Sequence, residues 1–163
     1  MANKVVSNTG PFIHLSEIDL LIAFSIFDEI LITKEVYEEL FKSRIRIPKK
    51  VKIMRLNSES KDFTKILINQ YELGVGEASS IALIVQENSK IFLTDDLDAR
   101  VIAKNHNIEV HGTIGIILRA FREKIIDKKT AMEKVKLLKE RSSLYITTDL
   151  INKILKSIGK FKN

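Results

Sequence analysis

The chain has 163 residues, 45% of them apolar and 29% charged, with no cysteine and a formal net charge of +6. That length suits one domain, spanning 1–163, with a real hydrophobic core. The missing cysteines exclude a disulfide framework and thiolate chemistry, and His14, His106 and His111 are too scattered for a zinc site.

Lys4-Val5-Val6-Ser7 reads as a short strand that ends in a turn, Asn8-Thr9-Gly10-Pro11. A helix is predicted from Ser16, with Leu20, Leu21, Phe24 and Phe27 on its apolar face. Glu29-Ile30-Leu31-Ile32 is a second strand, and Thr33 caps a helix that turns Val36 and Leu40 inward. Pro48 breaks the chain, and 51–56 alternates enough for a third strand. Ser58 or Ser60 opens a helix through Phe63, Ile66, Leu67 and Tyr71. Gly74-Val75-Gly76 reads as a turn, with Glu77 heading an apolar helix over 78–85. Ile91-Phe92-Leu93 suits a strand buried on both faces, as in a parallel sheet. A helix runs from there to Lys104 with Leu97, Val101 and Ile102 on one side. A short strand follows at 108–110, and Thr113 opens a helix to Phe121. Thr130-Ala131-Met132-Glu133 has the form of a capping box, and a last amphipathic helix uses Leu150, Ile151, Ile154, Leu155 and Ile158. Strands alternating with helices predict an α/β fold, a parallel sheet of about five strands with right-handed crossovers. The helices from about 126 are expected to pack on that sheet or on a second subunit.

The longest apolar stretch, 18–32, is interrupted by Asp19, Asp28 and Glu29 and spans no membrane. The N-terminal segment is too short for a signal peptide, so a cytoplasmic protein is expected. Charge is unevenly spread. Residues 41–56 hold Lys42, Arg44, Arg46, Lys49, Lys50, Lys52 and Arg55 and no acid, and 152–163 holds Lys153, Lys156, Lys160 and Lys162 and no acid. Such blocks are either solvated faces or the footprint of a polyanion.

Four positions stand where a site at the carboxyl end of the sheet needs them: Asn8 after the first strand, Glu39 in the helix after the second, Glu77 before the central strand, and Asp96 after it. Each has a plainer explanation. Asp95 or Asp96 caps the helix that follows, the helix dipole alone favours Glu77, and Glu39 is a surface acid beside Glu38. Only their joint placement is informative. Carboxylate oxygens are hard ligands, so the set suits Mg²⁺ or Mn²⁺, which activates water and stabilises a phosphodiester under attack.

The runs Val5-Val6-Ser7-Asn8-Thr9-Gly10-Pro11-Phe12-Ile13, Val36-Tyr37-Glu38-Glu39-Leu40, Gly76-Glu77-Ala78, Leu93-Thr94-Asp95-Asp96 and Gly112-Thr113-Ile114-Gly115 together resemble a PIN domain, most closely the VapC-like prokaryotic subgroup. The resemblance extends from the first strand to about residue 125. It implies a three-layer α/β/α fold and a Mg²⁺- or Mn²⁺-dependent single-strand ribonuclease. It also implies an RNA substrate, a small antitoxin partner in many members, and a homodimer. Carried over by position, the catalytic set is Asn8, Glu39, Glu77 and Asp96. The metal ligands are Asn8, Glu77, Asp95 and Asp96, with Asp98 close enough to substitute. Thr9 would orient a ligand or water, and Arg44, Arg46, Lys49 and Lys50 join it in meeting nucleic acid. The departure is Asn8, which stands where the family carries its first acid. An amide oxygen still coordinates a metal but brings no charge and is no base. That departure sets a second expectation beside the nuclease, a PIN-fold module that binds RNA or protein without cleaving it. A response-regulator reading ranks below both, because Ser7-Asn8 occupies the place of its paired acids. A dinucleotide-binding reading fails because Gly74-Val75-Gly76 lacks the third glycine.

Overall fold

Val5 and Val6 are both fully buried, yet they belong to different cores, because successive strand residues face opposite sides of a sheet. The computed structural model describes residues 4–162. The strands β1 (Lys4–Ser7), β2 (Glu29–Thr33), β3 (Val51–Met54), β4 (Ile91–Leu93) and β5 (Glu109–His111) form one five-stranded sheet in the order β3-β2-β1-β4-β5. Every pairing is parallel, with Val6 opposite both Leu31 and Phe92. One face packs Val5, Ile30, Ile32 and Leu93 against α1 (Thr9–Glu17), α2 (Lys34–Lys42), α6 (Thr113–Arg122), α7 (Lys128–Arg141) and α8 (Thr148–Lys160). The other packs Val6, Leu31 and Phe92 against α3 (Ser58–Tyr71), α4 (Val75–Gln86) and α5 (Leu97–Asn105). The result is the three-layer α/β/α sandwich expected of a parallel sheet whose strands are apolar on both faces.

The order of strands determines where a ligand fits. The chain runs from β1 outward through β2 to β3, then returns to β4 on the other side of β1 and moves out to β5. The connections after β1 and β4 therefore diverge, leaving a crevice at their carboxyl ends, the topological switch point of an open α/β sheet. The Asn8 backbone N–H donates to Leu93 O at 3.1 Å and holds the two strand ends together at that crevice.

Several local expectations are corrected. Asn8-Thr9-Gly10-Pro11 is no free turn. Asn8 is the N-cap of α1, its Oδ1 accepting from Gly10 N at 3.2 Å, and Pro11 sits in the first turn, where no backbone N–H is needed. The helix expected from Ser16 is instead a separate 3-10 helix at Leu21–Ile26, entered after Asp19 takes a positive φ of 53°. Gly74 is the N-cap residue of α4, so Val75 and Gly76 are helical and not a turn. Asn57, not a serine, caps α3 through Ser60 N. Asp127 caps α7 through Thr130 N, which starts that helix before the expected capping box. Gly112 precedes α6, with Thr113 already inside it, and the third strand ends at Met54. In α5 the buried side chains are Ala99, Ile102 and Ala103, while Leu97 and Val101 are 73% and 59% exposed. Small alanines let the helix lie close to the sheet and turn the larger residues outward. In α3, Ile66 and Tyr71 are likewise exposed and Leu67 carries the burial.

Candidate active site

Asn8 is buried, and both ends of its amide are used. Oδ1 accepts from Gly10 N, and Nδ2 donates to Thr94 Oγ1 at 2.6 Å. Thr94 Oγ1 also accepts from Asp96 N at 3.1 Å. A single hydroxyl thus fixes the end of β1 against the end of β4 and orients Asp96. Asp96 is the N-cap of α5, with Oδ1 accepting from Ala99 N at 2.7 Å. Its capping role and its place at the crevice coexist, because one carboxylate oxygen serves the helix and the other is left over.

Glu39, Glu77 and Asp96 come together from α2, α4 and the β4–α5 turn. Burial raises the Glu77 pKa above its ordinary value of 4.5, a backbone hydrogen bond partly opposes this, and the nearby charges of Asp96 and Glu39 raise it further. Gly76 permits the approach of α2 to α4, since a Cβ there would stand 3.0 Å from Glu39 Oε1. The ion pairs among the described residues involve none of these three acids. Crowded hard oxygens that repel one another suit a divalent cation in kind. As the side chains stand, no three Asp, Glu or His residues among those described are gathered tightly enough to grip an ion.

Asp95 lies in a different network. Oδ2 accepts from Thr113 Oγ1 and pairs with His14 Nδ1 at 2.6 Å, while Oδ1 accepts from Thr113 N at 2.7 Å. Burial acts to raise its pKa, but the bonds from His14 and Thr113 outweigh it and hold the carboxyl below its ordinary 3.8. This clasp joins α1, the β4–α5 turn and the head of α6. Gly112 makes room for it: a Cβ there would lie 2.7 Å from Asp95 Oδ1 and 2.8 Å from Arg100 Nη2. Nothing in the sequence pairs His14 with Asp95 or marks Thr94 and Arg100 for a role; the one signal it offers is Thr113, inside the run Gly112-Thr113-Ile114-Gly115.

Thr9 is buried at the first position of α1. Asp98, in the first turn of α5, is exposed. Arg44 and Arg46 are exposed beside Phe41 and Ile45, in the segment that begins one turn after Glu39. Lys49 is exposed as well, whereas Lys50 Nζ donates to Ser25 O at 3.0 Å and Phe27 O at 2.9 Å.

A doubly wound parallel sheet with an acid-lined crevice at its switch point defines a class of α/β proteins that act on ligands at the strand ends. A PIN-domain family model matches residues 4–160, and the chain belongs to that family. No curated protein matches it. The PIN domain is a nuclease-type fold that generally uses divalent metal ions and acts on nucleic acid. No helix among the described residues is long and apolar enough to cross a membrane.

Proposed function

We propose that the protein is a Mg²⁺- or Mn²⁺-dependent endoribonuclease acting on single-stranded RNA. The observation that carries this is the gathering of Glu39, Glu77 and Asp96 beside Asn8 at the switch-point crevice, with the Glu77 pKa raised by burial and by the charges of Asp96 and Glu39. Asn8, Glu77 and Asp96 would hold the ion, with Glu39 beside them. A bound divalent cation supplies Lewis acidity, lowering the pKa of water and offsetting charge on the phosphodiester. The chain's own groups do the rest. Asn8 and Thr94 hold the two strand ends in register, the Asp95 clasp keeps Asp96 facing the crevice, and the basic segment after α2 holds the RNA backbone. Asp95 contributes through this clasp, with Oδ2 engaged by both His14 and Thr113 Oγ1 and Oδ1 by Thr113 N. A toxin role with a small antitoxin partner, and a homodimer, are parts of the same reading.

A second reading, a binding module without cleavage, is favoured by one observation. The buried Asn8 amide is already satisfied by Gly10 and Thr94 and brings no negative charge. Incubation of mixed single-stranded RNA with Mn²⁺, against EDTA and against Glu77→Gln, separates the two. Metal-dependent cleavage lost in the variant supports the nuclease; tight RNA binding with no cleavage in any metal supports the module.

A further inference from the structure

Thr33 ends β2 and caps α2, its Oγ1 accepting from Val36 N at 3.2 Å. The same oxygen lies 2.9 Å from Ser79 Oγ in α4, and Ser79 Oγ lies 3.2 Å from Gly76 O. Both side chains are fully buried. Their protons can be assigned, because each hydroxyl has one. A carbonyl only accepts, so the Ser79 proton goes to Gly76 O and the Thr33 proton to Ser79 Oγ. Reversed, the buried Thr33 proton would be left without an acceptor, at the full desolvation cost of that donor. One chain of hydrogen bonds therefore runs from Val36 N through Thr33 and Ser79 to Gly76 O. It starts in the helix that carries Glu39 and ends on the residue before Glu77. Gly76 is also where those helices approach, since a Cβ there would stand 3.0 Å from Glu39 Oε1. We infer that Thr33 and Ser79 are positioning residues, whose hydroxyls set the separation of Glu39 and Glu77 for one shared divalent cation. This rests on the metal-dependent reading above.

Apart from the α2 cap, stability alone does not call for hydroxyls here. An apolar pair of the same shape would pack between β2 and α4 with nearly the same stability. What the hydroxyls add is direction, because a buried network with every member satisfied holds one arrangement. Glutamate side chains close on an ion by rotating about their own bonds. The backbones they rotate from are what this chain of bonds fixes. Ser80 supplies the contrast. Its Oγ is just as buried and donates to the same Gly76 O at 2.6 Å, but that bond stays within α4.

Calorimetric titration with Mn²⁺ reads the site directly, and melting in EDTA follows the fold. Ser79→Ala should weaken Mn²⁺ binding about tenfold, the low end for groups that orient metal ligands. Thr33→Val cuts the chain at its other end and should give the same loss, together with a lower melting temperature from the missing α2 cap. The test therefore stands if either variant fails to fold. Thr33→Ser keeps cap and hydroxyl and should bind Mn²⁺ like the parent. Ser80→Ala removes an equally buried hydroxyl from the same carbonyl and should also bind like the parent, whatever it does to melting. In a Glu39→Gln background, Ser79→Ala should cost far less affinity, since one of the two groups it positions is gone. Unchanged affinity in Ser79→Ala or Thr33→Val, or an equal loss in Ser80→Ala, would overturn the positioning role and leave the nuclease reading in place. A parent that binds no Mn²⁺ would overturn both. A parent that binds Mn²⁺ but cleaves no RNA, with the Ser79→Ala loss intact, would remove the nuclease reading alone.

Discussion

His14 and Asp95 lie 2.6 Å apart, in contact across 81 residues of sequence, and Thr113 closes the same carboxylate from the other side. Because Asp95 stays ionised, the imidazole donates from Nδ1. Asp95→Asn keeps the shape but replaces an acceptor-only group with one that presents an NH₂ to existing donors. It should cost about 2–3 kcal/mol, seen as a lower midpoint in urea unfolding. The pH dependence follows from the lowered pKa. Stability from Asp95 is present above its ordinary 3.8 and is lost as pH falls through the depressed folded value, so the variant should lose less stability than the parent in that acid range. A parent and variant with parallel acid-unfolding curves would show the clasp to be energetically silent.

Glu77 has the opposite sign. Its folded pKa is raised, so its contribution is complete below 4.5 and declines as pH rises through the folded value. Without metal, Glu77→Gln should flatten the decline in melting temperature between mildly acidic and neutral pH. The same substitution should weaken Mn²⁺ binding at least about tenfold by calorimetry, since charge count governs affinity at hard-cation sites. Equal Mn²⁺ affinity in parent and variant would remove Glu77 from the ligand set.

Two substitutions at Asp96 separate cap from ligand. Asn caps nearly as well as Asp, so Asp96→Asn should leave thermal stability within a few tenths of a kcal/mol while reducing Mn²⁺ affinity. Asp96→Ala should lose the Ala99 N bond as well and cost about 1 kcal/mol more. If Asp96→Asn binds Mn²⁺ like the parent, Asp96 is a helix cap and nothing else.

Asn8→Asp should raise Mn²⁺ affinity by adding a fourth carboxylate beside Glu39, Glu77 and Asp96. Thr94 adapts without losing a bond: its hydroxyl can donate to the new carboxylate while still accepting from Asp96 N. The cost is repulsion in the metal-free state, so the variant should melt lower than the parent in EDTA and higher in excess Mn²⁺. Melting curves that do not cross on adding the metal would place Asn8 outside the ligand shell.

The basic segment divides into two kinds of cation. Replacing Arg44, Arg46 or Lys49 with Ala should each reduce the salt slope of RNA binding by about one unit with little change in stability. Lys50→Ala should instead lower stability, because its ammonium holds the carbonyls of Ser25 and Phe27. Salt slopes unchanged from the parent in the Arg44, Arg46 and Lys49 variants would make this segment a solvated face.

The sheet was legible because its strands are short apolar runs separated by helix-length segments, a pattern that survives errors at the ends. The nearness of Glu39, Glu77 and Asp96 to one another was legible for a related reason: their order in the chain and the parallel topology bring α2, α4 and the β4–α5 turn to the same end of the sheet. Helix starts were less so. Asn8, Asn57 and Asp127 are all caps, yet a nearby Ser, Thr or turn sequence competes with each, and only packing decides among them. The His14–Asp95–Thr113 clasp was invisible because nothing in the spacing of three residues so far apart marks them as neighbours. Leu97 and Val101 misled for a different reason, since two alanines occupy the closest approach to the sheet and no hydrophobicity count gives them that priority.

Asn8 and Thr94, whose side chains meet at the crevice, are 86 residues apart in the chain. No fragment shorter than the β1-to-β4 span contains both halves of the site, and the contact forms only after that long loop has been closed against its entropy. The crevice is therefore expected to appear late as the chain folds. Ligand affinity in a refolding experiment should emerge together with the β1–β4 pairing and not with the earlier helical signal.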